Sequence, residues 1–155
     1  MKRLTGLLKN IGFMHIAIQG KTRSKEHVID SVLDRQKGIY IIVTDRIITQ
    51  YEWENFSSRA FDNSVMSWNG FGLAMTDHIL YVGASSKHLK GEIDRHTRGS
   101  SYENRGLKLA DYKCPEFNYM IHAFFPDPNQ GYCGIDLDNL EDLVKKYLKP
   151  VVGRI

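Results

Sequence analysis

A chain of 155 residues is long enough for one domain with a single core and too short for two ordinary ones. Its 42% apolar and 25% charged composition is that of a soluble globular protein, without an apolar run of transmembrane length. The net charge of +3 is unevenly spread: residues 1–37 carry eight Lys/Arg against three acids and residues 86–113 seven against four, while 45–77 and 114–155 are net acidic. That asymmetry suits a polyanion on one face, and equally two solvated basic segments. The basic start at Lys2 and Arg3 is followed by an apolar stretch broken by Lys9 and Asn10, which argues against a secretory signal. Cys114 and Cys133 lack metal-type spacing and read as reduced thiols of a cytoplasmic protein.

In chain order, residues 2–10 form a short helix with Leu4, Leu7 and Leu8 on one side. Phe13 to Ile18 alternates weakly, as an edge strand would. A basic turn follows, and Ser24 then caps a helix through Asp34 with Val28, Ile29, Val32 and Leu33 as its buried stripe. Gly38 to Thr44 is a β-branched run and the first central strand. Ile47 to Tyr51 reads as a strand pairing back on it. Beyond lie Trp53, Phe56, Phe61, Trp68 and Phe71, an aromatic excursion that either fills a local core or forms a binding surface. Ile79 to Ala84 is the second central strand, and Lys87 to Thr97 a helix with Leu89 and Ile93 inward. A polar loop leads to the third strand, Phe117 to Phe125. The final helix, about Asp138 to Lys149, stops at Pro150. The expected fold class is α+β: a small, mainly antiparallel, three-stranded central sheet flanked by helices. The chain makes one domain, with residues 1–36 as an N-terminal extension and 45–77 as an insertion.

Three pieces of this order carry a motif. Gly38-Ile39-Tyr40 lies on the first central strand and Tyr81-Val82-Gly83 on the second, and a basic helix then ends at His96. With the closing helix carrying Glu141 and followed by Pro150, the chain over roughly 37–155 resembles the GIY-YIG nuclease family. The resemblance implies hydrolysis of phosphodiester bonds in DNA, duplex DNA foremost, with one Mg²⁺ or Mn²⁺, in a restriction-type or mobile-element-type endonuclease. It implies that Tyr40 adjoins the attacking water as general base, that Tyr81 hydrogen-bonds in the same cluster, that His96 contacts the phosphate or moves a proton, and that Glu141 holds the metal. Lys87, Lys90, Arg95, Arg98 and Arg105 would line the nucleic acid. Such chemistry needs a positioned water, a proton acceptor and positive charge on the phosphoryl oxygens. A phenol with its ordinary pKa near 10 needs nearby positive charge to serve as a base.

Each residue also has a structural reading. Tyr40 and Tyr81 fit ordinary strand tyrosines, His96 complements a helix C-terminus, and Glu141 stands three residues after Asp138, as in a capping box. Three departures from the family pattern stand out. About forty residues separate Tyr40 from Tyr81 where the family usually has a short hairpin. Glu92 occupies the position of the family arginine four residues before His96, and Arg95 lies about 60° around the helix from it. Gly153 stands roughly where the family has an asparagine. His88, Glu92 and His96 share one helical face, which reads as a solvated polar face before it reads as a metal stripe. The expected protein is a monomer or homodimer with no membrane partner, and its activity is in question because of Glu92. The alternative is a nuclease-fold protein that binds nucleic acid or a protein without cutting.

Overall fold

The structure is a computed structural model that describes residues 1–26, 29, 31–59, 66, 68, 78–98, 106–130 and 134–153. Its elements run α1 (Lys2–Asn10), β1 (Phe13–Lys21), β2 (Gly38–Thr44), α2 (Gln50–Arg59), β3 (Ile79–Ser85), α3 (Leu89–Thr97), β4 (Asn118–Pro126) and α4 (Leu137–Leu148). The class is α+β as expected, but the sheet has four strands rather than three, in the order β1-β4-β2-β3, and every pairing is antiparallel. The fourth strand is the Phe13 segment. It runs further than its weak alternation suggests, because all nine residues find partners along β4.

The central strand β2 is buried on both faces, so it reads as a continuous apolar run and not as an alternating one. Its side chains feed two cores. Tyr40 and Ile42 join one cluster with Tyr81, Ile93, Trp53 and Phe125. Ile39 and Ile41 join the other, under α1 and α4, with Leu4, Leu8, Phe124, Leu140 and Val144. Each fully buried Ile or Leu adds about 1.5–3 kcal/mol of apolar burial. Leu7 of α1, expected to share the stripe of Leu4 and Leu8, is exposed.

Three local expectations are overturned. The helix over 24–34 is absent among the described residues, where the segment holds only a 3-10 turn at Ser31–Leu33. The Ser24 hydroxyl accepts from the Glu26 N–H, a local bond that competes with helix formation, and Ile29 and Leu33 are buried without a helical stripe. The strand at Ile47 to Tyr51 is instead the approach to α2. Thr49 and Glu52 form a reciprocal capping box, with Glu52 N–H donating to the Thr49 hydroxyl at 3.2 Å and Thr49 N–H to the Glu52 carboxylate at 3.0 Å. That T-x-x-E spacing outweighs the β-branched Ile47-Ile48 pair. Finally, α4 is capped by Asp136, whose side chain accepts from the Asp138 N–H, so Glu141 is not part of a capping box.

Trp53 and Phe56 of α2 settle one half of the aromatic excursion. Both are buried, meet edge to face at 5.5 Å, and Trp53 Nε1 donates to the Met66 carbonyl at 2.7 Å. They are core residues. Phe61, Phe71 and Cys133 lie outside the described residues.

Candidate active site

The two motif strands are direct neighbours despite the long connection between them, and register decides what their tyrosines do. Tyr40 is opposite Gly83, and Ile42 is opposite Tyr81. The tyrosines are therefore diagonal neighbours on one face. Their ring centroids are 5.9 Å apart. A register shift between Ile42 and Val43 accompanies this pairing. Gly83 is required by the contact: a Cβ there would lie 2.7 Å from both the Tyr40 hydroxyl and the Tyr81 ring. Gly153 supports Tyr81 from the other side. After Pro150 the chain returns along β3, with Val151 and Val152 N–H donating to the carbonyls of Ile79 and Leu80. Gly153 follows with φ +109°, and a Cβ on it would lie 2.9 Å from the Tyr81 ring. That position needs a glycine for fit.

Helix α3 brings His96 onto the tyrosines. Its ring lies 5.8 Å from Tyr40 and 4.6 Å from Tyr81. His96 is fully buried. The Leu107 N–H donates to its Nδ1 at 3.2 Å. Burial first, then the charges of Arg95 and Lys108, bring its pKa down to about 3. His96 is thus neutral at neutral pH, and its C-terminal place on α3 does not make it a dipole-complementing imidazolium.

Arg95 sits beside it, with a terminal nitrogen 3.1 Å from His96 Nε2. The guanidinium can only donate, so this contact calls on Nε2 as the acceptor while the Leu107 N–H calls on Nδ1, and a neutral imidazole answers one of the two. Glu92 pairs with Arg95, through Nε at 3.1 Å and through the terminal nitrogen. The sequence expectation set Glu92 in place of a cation; in the fold the neighbouring arginine reaches the cluster, and Glu92 orients it.

The phenols are held protonated. Burial dominates the upward shift of Tyr40, with Tyr81 and Glu92 adding to it and Arg95 opposing it. Tyr81 is pushed up to about 12, by burial first and by the negative charge of Glu141 second. The interaction between the two hydroxyls raises Tyr40 and lowers Tyr81. Glu141 projects from α4, largely shielded, and bonds Lys145 at 2.6 Å.

Lys108 was not singled out from the sequence, although it lies in the basic 86–113 segment. Its charge acts on both Arg95 and His96, its side chain is buried, and burial followed by Arg95 lowers its pKa. Its backbone is left-handed at φ +53°, an uncommon state for a non-glycine residue that is worth a functional explanation. No periodicity could have marked it, because it stands in a loop.

The other basic candidates are peripheral. Lys87 is exposed, Lys90 meets Asp34 at 3.5 Å, and Arg98 pairs with Asp94 at 3.3 Å. Arg105 lies outside the described residues. Among the described residues no group of three or more His, Cys, Asp or Glu is placed to share a metal ion. The His88, Glu92 and His96 stripe is dispersed: His88 is exposed at the helix start, Glu92 holds Arg95, and His96 is buried. Among the described residues no helix is long and apolar enough to cross a membrane. No family model, curated protein or solved structure matches this chain.

Proposed function

We propose that the chain is a GIY-YIG-type, metal-dependent endonuclease, acting at the cluster of Tyr40, Tyr81, His96 and Arg95 with Glu141 at its rim. The observation that carries the reading is the convergence of the Tyr40, Tyr81 and His96 rings on one face, with the Arg95 guanidinium against His96 and Lys108 near it. Guanidinium and ammonium groups suit the non-bridging oxygens of a phosphodiester. In this reading His96 is a neutral hydrogen-bonding partner and does not take the proton. Arg95, held by Glu92, and Lys108 supply the charge expected of the family arginine. Tyr40 holds Tyr81 in place through its hydroxyl.

Glu141 is the carboxylate that would hold a hard divalent cation. It is largely shielded and its charge is felt by Tyr81, and the Lys145 ammonium bonded to it at 2.6 Å would have to give way to the ion. Mg²⁺ accepts such a site because it keeps most of its waters and needs one or two carboxylates. When bound it would supply positive charge and a water of lowered pKa. The side chains at hand to orient that water are Tyr40 and Tyr81.

The test is cleavage of mixed-sequence duplex DNA with Mg²⁺ or Mn²⁺. The native chain is expected to cut, Tyr40→Phe and Arg95→Ala are expected to lose cleavage while remaining folded, and Glu141→Gln is expected to need more metal. A native chain that cuts no DNA with either metal defeats the reading. One observation favours a second reading, a nuclease-fold protein that binds DNA without cutting. The charge of Arg95 is shared with Glu92, and Tyr40 is held far from the basic state. It predicts salt-dependent binding of duplex DNA with no cleavage under any metal.

A further inference from the structure

The segment 107–116 leaves the catalytic cluster and enters a separate concavity of about 600 Å³. Leu107 N–H bonds His96 at one end of the segment, and Tyr112 and Lys113 line the concavity at the other. Across that groove stands Tyr51 from the start of α2. Tyr51 and Tyr112 are 78% and 74% exposed, whereas Tyr40, Tyr81 and Tyr119 are buried. Two rings are thus left in water on the walls of one groove, among cations.

The polar lining is partly neutralised. Arg46 is fixed by Glu52 at 2.8 Å and by the Glu116 carbonyl at 3.0 Å, so it builds the wall. Arg23 meets Glu116 at a looser 3.5 Å, and its Nε bonds the Cys114 carbonyl. Lys113 lies 5.4 Å from the centre of the Tyr112 ring. Exposed aromatic faces with a few interleaved cations are what base stacking and light backbone contact require. The groove has the volume of a small-ligand pocket, too small to take a duplex in which the base faces are already stacked.

We propose that this groove binds single-stranded nucleic acid, with bases stacking on Tyr51 and Tyr112 and phosphates meeting Arg23 and Lys113. Five residues separate Leu107 from Tyr112, a span of at most about 18 Å. The groove then holds an unpaired strand, a flap or frayed end, next to the bond to be cut. This extends the nuclease reading by naming its substrate class, and it rests on that reading for the link to cleavage.

The experiment is fluorescence anisotropy of a short labelled oligothymidylate in EDTA, where cleavage plays no part. The native chain is expected to bind saturably. Tyr51→Ala and Tyr112→Ala should each weaken binding by about tenfold, while Tyr51→Phe and Tyr112→Phe retain it. Since only one or two phosphates are met, the slope of log affinity against log salt should be shallow, about −0.7 per phosphate, and Lys113→Ala should remove one such step. Melting curves check that the variants fold. Absence of saturable binding, or alanine variants that bind like the native chain, overturns the inference. If duplex DNA is cut but oligothymidylate is not bound, this inference fails alone. If tyrosine-dependent binding persists in a chain that cuts nothing, the nuclease reading fails alone.

Discussion

The two faces of the sheet each carry histidines whose protonation is suppressed, and they do different things. On one face His96, brought down to about 3, lies against Tyr40 and Tyr81 with Arg95 and Lys108 beside it. On the other, His122 shares the face of its register partner Ile41, and His15 that of Phe124. These two histidines bond one another at 2.9 Å and stack, with His15 also on the Phe124 ring at 4.7 Å. Burial first, then His15, brings His122 down to about 4. The same residue type with the same direction of shift therefore occurs in both places. The His15–His122 bond is a closed pair in which donor meets acceptor. Around His96 two donors, the Leu107 N–H and the Arg95 guanidinium, face one neutral ring, and Lys108 adds its charge. A lowered histidine pKa by itself marks burial; neighbouring positive charge is what distinguishes this face.

The largest expected effect that would break this contrast is at Tyr40 and Gly83. Tyr40→Phe should lower cleavage by at least about a hundredfold. Gly83→Ala should destabilise by about 1–3 kcal/mol as its methyl group pushes between the rings, and should silence the site as well. A Gly83→Ala protein with native melting and native cleavage would mean that the tyrosines do not converge as described. Next is Glu141→Gln, which should raise the Mg²⁺ concentration needed for half-maximal cleavage by at least about tenfold, the cost of losing even an outer metal partner. If cleavage stays absent at any Mg²⁺ level while the melting temperature is native, Glu141 acts in some other way than by holding the ion.

The pH dependence of stability sharpens the comparison. Both His96 and His122 have folded pKa values below the unfolded value of about 6.5. The unfolded chain therefore binds more protons as the pH falls, and stability drops with it. The His96 contribution is lost progressively from about 6.5 down to about 3, and that of His122 from about 6.5 down to about 4. Urea melts at pH 7.5 and pH 4.5 should show this loss. His96→Asn and His122→Asn should each flatten the slope, and an unchanged slope in both would count against these shifts. The smallest effect is His15→Ala. It should cost about 1 kcal/mol through the lost hydrogen bond and leave cleavage unchanged. Loss of cleavage there would join the two faces that the sheet separates.

Much of the frame was legible before any coordinates. The three central strands stand out because buried β-branched runs announce themselves, and the terminal helices because Leu4 and Leu8, or Leu140 and Val144, recur at helical spacing. The α2 helix was present in the Thr49-to-Glu52 spacing but masked by Ile47 and Ile48. Among its described residues the 24–34 segment, despite its helical spacing, holds only the 3-10 turn at Ser31–Leu33, with Ile29 and Leu33 buried.

The sequence by itself determined the α+β class, the existence of β2, β3 and β4, though not that β3 lies at the sheet edge, and the identity of Tyr40, Tyr81 and His96 as the residues to watch, because each depends on local pattern and on motif. The tertiary structure alone decided four things. The strand pairing put Gly83 opposite Tyr40. The chain brought the backbone N–H of Leu107 to the buried His96 ring. The reach of Arg95 made Glu92 its partner, and a loop carried Lys108 to the same place. Each of these depends on the distance between residues far apart in the chain or on the direction of a side chain, which neither composition nor periodicity encodes.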